Sequence, residues 1–291
     1  MPPSPLKISS VAFAFVSGAL ILTASVSAEI AVKSGEKIAF LGDSITAGGW
    51  GNPAGYVRLV MAGLEANGIK AEAVPAGIGG HKSNQMLARL EKDVLSKKPN
   101  WMTLSCGVND VWHGNFGIPL NDAQAASATY ELRPGEPEKG TYEKNISKII
   151  ETAVAAGVRP VLLTATVIKE DLSSAENQKL APYNEFLRKL AKDKKLPIAD
   201  LYGDFQVKIK DANAPGKNVF TSDGVHMNTE GNKVMAMGVL KAFGFSGEEL
   251  QKAALAWAPL AVQAEESAKA AAAAKAAKAE AQKAASPAEK K

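Results

Sequence analysis

Between residues 37 and 243 the chain alternates short, almost wholly apolar runs with longer stretches in which apolar residues recur every three or four positions. The short runs, 37–41, 72–74, 101–105, 159–165 and 197–200, are each followed by glycine, proline or a polar turn, which is how strands end. The longer stretches, 56–66, 83–95, 141–155, 180–192 and 229–243, have helical spacing; in 141–155, Ile146, Ile149, Ile150, Ala153 and Val154 gather on one side. Strands without polar alternation must be covered on both faces. The pattern therefore predicts an α/β fold, a three-layer αβα sandwich around a five-stranded parallel sheet. Such sheets place their chemistry at the carboxyl ends of the strands.

Two segments interrupt the rhythm. Residues 113–140 are rich in Gly, Pro, Asn and Asp and follow the turn after the third strand; a loop of that length is usually functional, and it reads as an insertion beside the site. Residues 208–218 form a second expected loop, leading into Asp223-Gly224-Val225-His226.

The two ends read differently from the middle. Lys7, the apolar stretch 11–22 and Val26-Ser27-Ala28 form the pattern of a secretory signal peptide, 1–28, whose cleavage would leave Glu29 first. That apolar run is short for a membrane span, and no later one reaches about 18 residues, so the expectation is a secreted or periplasmic protein without a span in its mature form. From Ala264 the composition collapses to Ala, Lys and Glu, a low-complexity tail, 264–291, with no apolar face to bury. The span 29–263 is left as one catalytic domain.

Charge excludes one class of partner. Residues 29–263 hold 27 basic and 26 acidic side chains, too even a balance for a nucleic-acid-binding surface. Cys106 is the sole cysteine, so no internal disulfide forms; it ends an apolar run and reads as a buried residue. His81 and His113 match no metal-binding spacing, and no glycine-rich phosphate loop follows a strand. No metal or cofactor is expected.

What remains is a set of polar segments at predicted strand ends. Ser44, in Gly42-Asp43-Ser44, follows the first strand, where a hydroxyl stands at the edge of the sheet. Asp223 lies three residues before His226, close enough on a tight turn to orient an imidazole that deprotonates a serine. Gly77-Ile78-Gly79-Gly80 follows the second strand and Gly107-Val108-Asn109-Asp110 the third. Each has a plainer reading: Ser44 as a helix cap, Asp223 as the closer of a turn, His226 as a surface histidine, Asn109 as a turn residue. Jointly those readings are improbable.

These four blocks, in this order, resemble the SGNH (GDSL-type) hydrolases over about 200 residues, from Lys37 to Phe243. The resemblance implies a flavodoxin-like sheet and a cofactor-free serine esterase. Ser44 would be nucleophile, His226 base and Asp223 its orienting carboxylate. The Ser44 N–H, the Gly80 N–H and the Asn109 amide would form the oxyanion hole; Gly80 is preferred to Gly77 and Gly79 because Ile78-Gly79-Gly80 stands where the family has Ile-Ser-Gly. Asp43 and Asp110 would support loop backbone, and Trp112 and His113 would line the substrate pocket. The Gly107–Trp112 segment and the exported single domain resemble carbohydrate esterases that remove acetyl groups, so the expected substrate is a small or polysaccharide ester. The alternatives are a lysophospholipase or thioesterase, which needs an apolar acyl channel, and a carbohydrate-binding surface protein, for which the intact serine, histidine and aspartate would have no use.

Overall fold

The computed structural model describes residues 30–285. The expected signal peptide and the last residues of the tail lie outside them. Five strands, β1 (Lys37–Gly42), β2 (Glu72–Gly77), β3 (Trp101–Ser105), β4 (Arg159–Leu163) and β5 (Ile198–Ala199), pair in the order β2-β1-β3-β4-β5, all parallel. The order reverses beside β1, which places a crevice at the carboxyl ends of β1 and β3. Phe40, Leu41, Leu104 and Leu162 are buried within the sheet, and each full burial of this kind contributes roughly 1.5–3 kcal/mol.

Eleven α-helices surround the described sheet: α1 (Ser44–Gly51), α2 (Tyr56–Ala66), α3 (Ser83–Asp93), α4 (Val108–Trp112), α5 (Asp122–Ser127), α6 (Tyr142–Ala155), α7 (Ala175–Lys194), α8 (Leu201–Ala212), α9 (Thr229–Ala242), α10 (Gly247–Ala256) and α11 (Ala258–Ala285). One layer packs α2 against α9 and α10, with α8 on α9; the other joins α3, α6 and α7. The three-layer reading of the sequence is the architecture observed.

The departures have local causes. β2 runs three residues past its expected end, through Pro75, because it is an edge strand: the N–H groups of Glu72 and Ile78 point inward to β1, so Pro75 lies on the outward-facing set, where a missing N–H costs nothing. β4 stops two residues early because the side-chain amide of Asn184 takes both the N–H and the carbonyl of Ala165, at 2.8 and 3.0 Å. α7 begins five residues before its apolar periodicity does, despite Pro182 inside it; Ser174 caps it, and buried Asn177 in its first turn is held by the preceding loop. α8 covers part of the expected loop 208–218. Asp200 caps it, and Leu201, Tyr202 and Phe205 are buried; the apolar residues crowd its first turn and leave no periodic stripe to read.

The tail from Ala264 belongs to α11, which begins at Ala258 and is exposed along residues 265–280. Apart from Ala264 it buries nothing there, so truncation after Gln263 is expected to leave the melting temperature within about 2 °C of the full chain and hydrolysis of a soluble small ester unchanged. Calorimetry and an ester assay on the truncated protein check this; a large drop in either gives the tail a structural role.

Candidate active site

Ser44 is the first residue of α1, and the cap is its neighbour: Asp43 accepts the Ile45 N–H through Oδ1 at 2.9 Å. The capping duty that serine could have taken is thus already filled, and its hydroxyl is free for another partner. Its N–H is among the four that a helix start leaves without an intrahelical acceptor. The turn that delivers it needs Gly42, because a Cβ there would lie 2.0 Å from Thr46 Oγ1.

The partner comes from the loop before α9. His226 Nε2 lies 2.9 Å from Ser44 Oγ, and His226 Nδ1 lies 2.6 Å from Asp223 Oδ2. A carboxylate only accepts, so Nδ1 carries the proton and Nε2 offers a lone pair to the serine hydroxyl. The other oxygen of Asp223 accepts the N–H groups of Val225 and His226, at 3.0 and 2.8 Å, so this residue closes the turn and holds the ring at once. Partial burial works against ionisation of Asp223, but the backbone and ring donors of His226 outweigh it and lower the carboxyl to about 2.

Gly80 and Asn109 converge on the same place. Both line a pocket of about 320 Å³ with Ser44, Asp223 and His226. Gly80 has φ +76°, and a Cβ on it would meet nothing within 4 Å. Glycine is favoured there by the left-handed backbone. Asn109, at the start of α4, points Nδ2 toward Asp43 Oδ2 at 3.3 Å and His81 O at 3.2 Å. Both contacts are longer than the usual 2.9–3.0 Å or so, and together they orient the two N–H groups of the amide. Asp110 accepts the Ser83 N–H at 3.0 Å and the Cys106 thiol at 3.4 Å. Cys106 itself is buried directly after β3.

The remaining wall comes from the segment after α4. Trp112, 44% exposed, and His113 line the pocket. His113 Nδ1 lies 3.2 Å from Arg133 Nη2; burial and that guanidinium lower its pKa. The segment 113–140 is anchored at its far end by the ammonium of Lys82, which is fully buried, 2.8 Å from Glu136 and 2.6 Å from the Phe116 carbonyl. Lys82 follows Gly80 by two residues, so the pocket wall and the Gly80 turn are tied through one ion pair.

Sequence reasoning missed Lys82, Glu136 and Arg89. Arg89, on α3, donates to Gly42 O, the last carbonyl of β1, and to Ala76 O, the next to last of β2, both at 2.8 Å, and to His81 Nδ1 at 3.1 Å. Its place beside Met86 and Leu90 on the apolar side of α3 is a signal legible in the chain: an arginine on a buried face has carbonyls or carboxylates to meet. Among the described residues no group of three or more His, Cys, Asp or Glu side chains could hold a metal ion, and no helix is long and apolar enough to cross a membrane.

A parallel αβα sandwich with a serine, a histidine and an aspartate in hydrogen-bonded series defines a serine carboxylic ester hydrolase. The chain belongs to the GDSL-like lipase/acylhydrolase family, whose sequence model matches residues 40–234. It is similar to an acetylxylan esterase of Geobacillus stearothermophilus, 25% identical over 228 residues that make up 74% of this chain and 96% of the relative. Among solved structures, the acetyl xylan esterase AlAXEase is 32% identical with a TM-score of 0.58, covering 71% of this chain and 98% of its own. Axe2, an acetylxylan esterase from Geobacillus stearothermophilus, shares the fold with a TM-score of 0.59 at 24% identity, covering 74% of this chain and 97% of its own.

Two predictions follow from the buried charges. Glu136→Gln leaves the Lys82 ammonium buried without its counter-ion and is expected to cost on the order of 3–5 kcal/mol; urea unfolding measures it, and a loss under about 1 kcal/mol contradicts a desolvated pair. Burial, with the Asp110 carboxylate adding to it, pushes the Asp43 carboxyl up to about 7. The folded state therefore holds this proton more tightly than the unfolded chain, and the stability this group contributes falls as pH rises from about 4 through about 7. Asp43→Asn keeps an oxygen for the Ile45 N–H, so its stability relative to the parent is expected to rise across that window. A gap between the two proteins that is the same at about pH 4.5 and about pH 8 would falsify the burial argument.

Proposed function

We propose that this chain is an exported serine esterase that removes short acyl groups, chiefly acetyl, from carbohydrate. The observation that carries the reading is the series Asp223–His226–Ser44, with contacts of 2.6 and 2.9 Å, opening into one pocket with Gly80 and Asn109. Ser44 Oγ attacks the ester carbonyl while His226 Nε2 takes its proton; Asp223 holds the tautomer and stabilises the imidazolium. Negative charge on the carbonyl oxygen falls among the N–H of Ser44, the N–H of Gly80 and Nδ2 of Asn109. His226 then protonates the leaving alcohol, and a water activated by the same nitrogen releases the acyl group.

Substrate class is supported by the pocket and by the relatives. At about 320 Å³ the pocket stands at the small end of ligand sites, and Trp112 and Val225 are the apolar side chains lining it. The apolar groove that a long acyl chain would need lies elsewhere, between α8, α9 and α10, lined by Phe220, Met237, Leu250 and Trp257 and by none of the site residues. That favours a short acyl group over a lysophospholipid. The side chains of His226 and Asp223 are 48% and 54% exposed, an open site that a polymer can reach, with the Trp112 indole as a face for a sugar ring. Relatives described as acetylxylan esterases point the same way. Export rests on the leader-like pattern of residues 1–28, and the mature chain is expected to begin at Glu29.

Ser44→Ala is expected to fold normally and to lose on the order of a million-fold in turnover. Asn109→Ala should lower kcat by about 100- to 1000-fold with KM nearly unchanged. On p-nitrophenyl esters of increasing chain length the parent should prefer acetate to octanoate by more than about tenfold, and it should release acetate from acetylated xylan. Ser44→Ala activity within tenfold of the parent removes the nucleophile assignment; equal turnover of acetate and octanoate removes the short-acyl reading.

A further inference from the structure

The loop that presents Asp223 and His226 is held from outside by two consecutive residues about 50 positions earlier in the chain. They lie in the irregular segment after β4. Glu170 Oε1 accepts the N–H groups of Phe220 and Thr221, at 2.9 and 2.7 Å, and the Thr221 hydroxyl at 2.6 Å; Oε2 accepts the Val219 N–H at 2.8 Å. Four donors fill the capacity of one carboxylate, and hydrogen bonds to a charged acceptor are the strong kind. Lys169 N–H reaches further along the same loop, to Gly224 O at 2.6 Å.

This clamp is itself braced. Lys169 sits at φ +63°, a backbone state disfavoured for a residue with a Cβ. Buried Asn177 on α7 maintains it, accepting the Ile168 N–H at 2.9 Å and donating to the carbonyls of Lys169 and Asp171, at 3.2 and 2.7 Å. Beyond the clamp, Thr221 pairs antiparallel with Met227, and Ser222 N–H donates to His226 O at 2.8 Å. The position of the three amides at 219–221 is thereby transmitted to the backbone of His226.

We propose that Glu170 is a positioning residue for ester hydrolysis, fixing the base of the 219–228 loop so that His226 stays in register with Ser44; this rests on the assignment of His226 as the base. The reason such a device is needed is exposure. His226 and Asp223 are half open to solvent, so hydrogen bonds within their own turn, rather than packing, hold the two side chains, and the contact with Ser44 joins positions 182 residues apart. A displacement of about 1 Å at such a contact costs about 100-fold in rate.

The test uses Glu170→Gln in the full chain, with Thr221→Val as a probe of the hydroxyl alone. Gln keeps the shape but turns one acceptor into an amide that opposes the loop donors. With p-nitrophenyl acetate, kcat is expected to fall about 10- to 100-fold with KM within about threefold, and phosphonylation of Ser44 by an organophosphate should slow in parallel. The downfield proton resonance of His226 Nδ1 should shift or broaden, while near-ultraviolet circular dichroism reports an intact fold. Thr221→Val should fall between this variant and the parent. If Glu170→Gln is unfolded at the assay temperature, Glu170→Asp, which keeps the charge on a shorter arm, is read by the same three measurements. A folded variant with parental kcat, or a loss of rate that tracks the unfolded fraction while the Nδ1 resonance is unchanged, overturns the proposal. Ser44→Ala separates the two levels: if it stays active, the catalytic reading of His226 fails first; if it is inactive and Glu170→Gln is not impaired, the positioning role alone falls.

Discussion

Because the five strands run in one direction, every loop that leaves a strand end emerges on one edge of the sheet, and three of the residues around the pocket arrive that way; Asp223 and His226 come instead from the loop between α8 and α9. Ser44 follows β1, Gly80 follows β2 and Asn109 follows β3, three neighbours in the sheet. Parallel strands need long crossovers, so residues about 30 to 40 positions apart in the chain arrive side by side. Arg89 reinforces this edge, with one guanidinium on carbonyls near the ends of two strands and on His81 beside the Gly80 turn.

Buried and exposed charge have separate duties here. His226 and Asp223 stand half open to water. The carboxylates beneath them do not. Asp43 and Asp110 are almost fully buried, and burial pushes both up from the usual carboxylate range. They stay because each accepts a backbone N–H at the start of a helix or loop that bears a site residue, a donor that would otherwise be orphaned. The buried Lys82–Glu136 pair does for the pocket wall what Asp43 does for α1: it fixes a segment whose own sequence, rich in Gly, Pro and Asn, specifies no regular structure.

The outer wall of the pocket is built apart from the sheet. The family model ends at residue 234, and α10 and α11 add nothing to the pocket lining. Trp112 and His113 line its outer side, with the segment 113–140 behind them. That side is presented by a long loop on a rigid scaffold, the usual place for specificity.

The chain alone made the parallel αβα sheet legible, because short apolar runs alternating with helical stretches are the pattern of buried parallel strands; the polar blocks proposed for the site follow the order of those strands. It also located Asp223 and His226, three apart on a turn, since that chemistry is local. What it did not reveal depended on partners distant in the chain. That Asp43 caps α1 and Ser44 instead meets His226, 182 positions later, is visible only in the folded chain. The reason for glycine at position 80, a positive φ, exists only in the folded turn. Glu170 and Lys82 look like surface charges in the sequence, because one isolated charge carries no local pattern. Their roles arise from donors and acceptors roughly 35 to 55 residues away, groups that a carboxylate or an ammonium can satisfy only after the tertiary structure has taken them out of water.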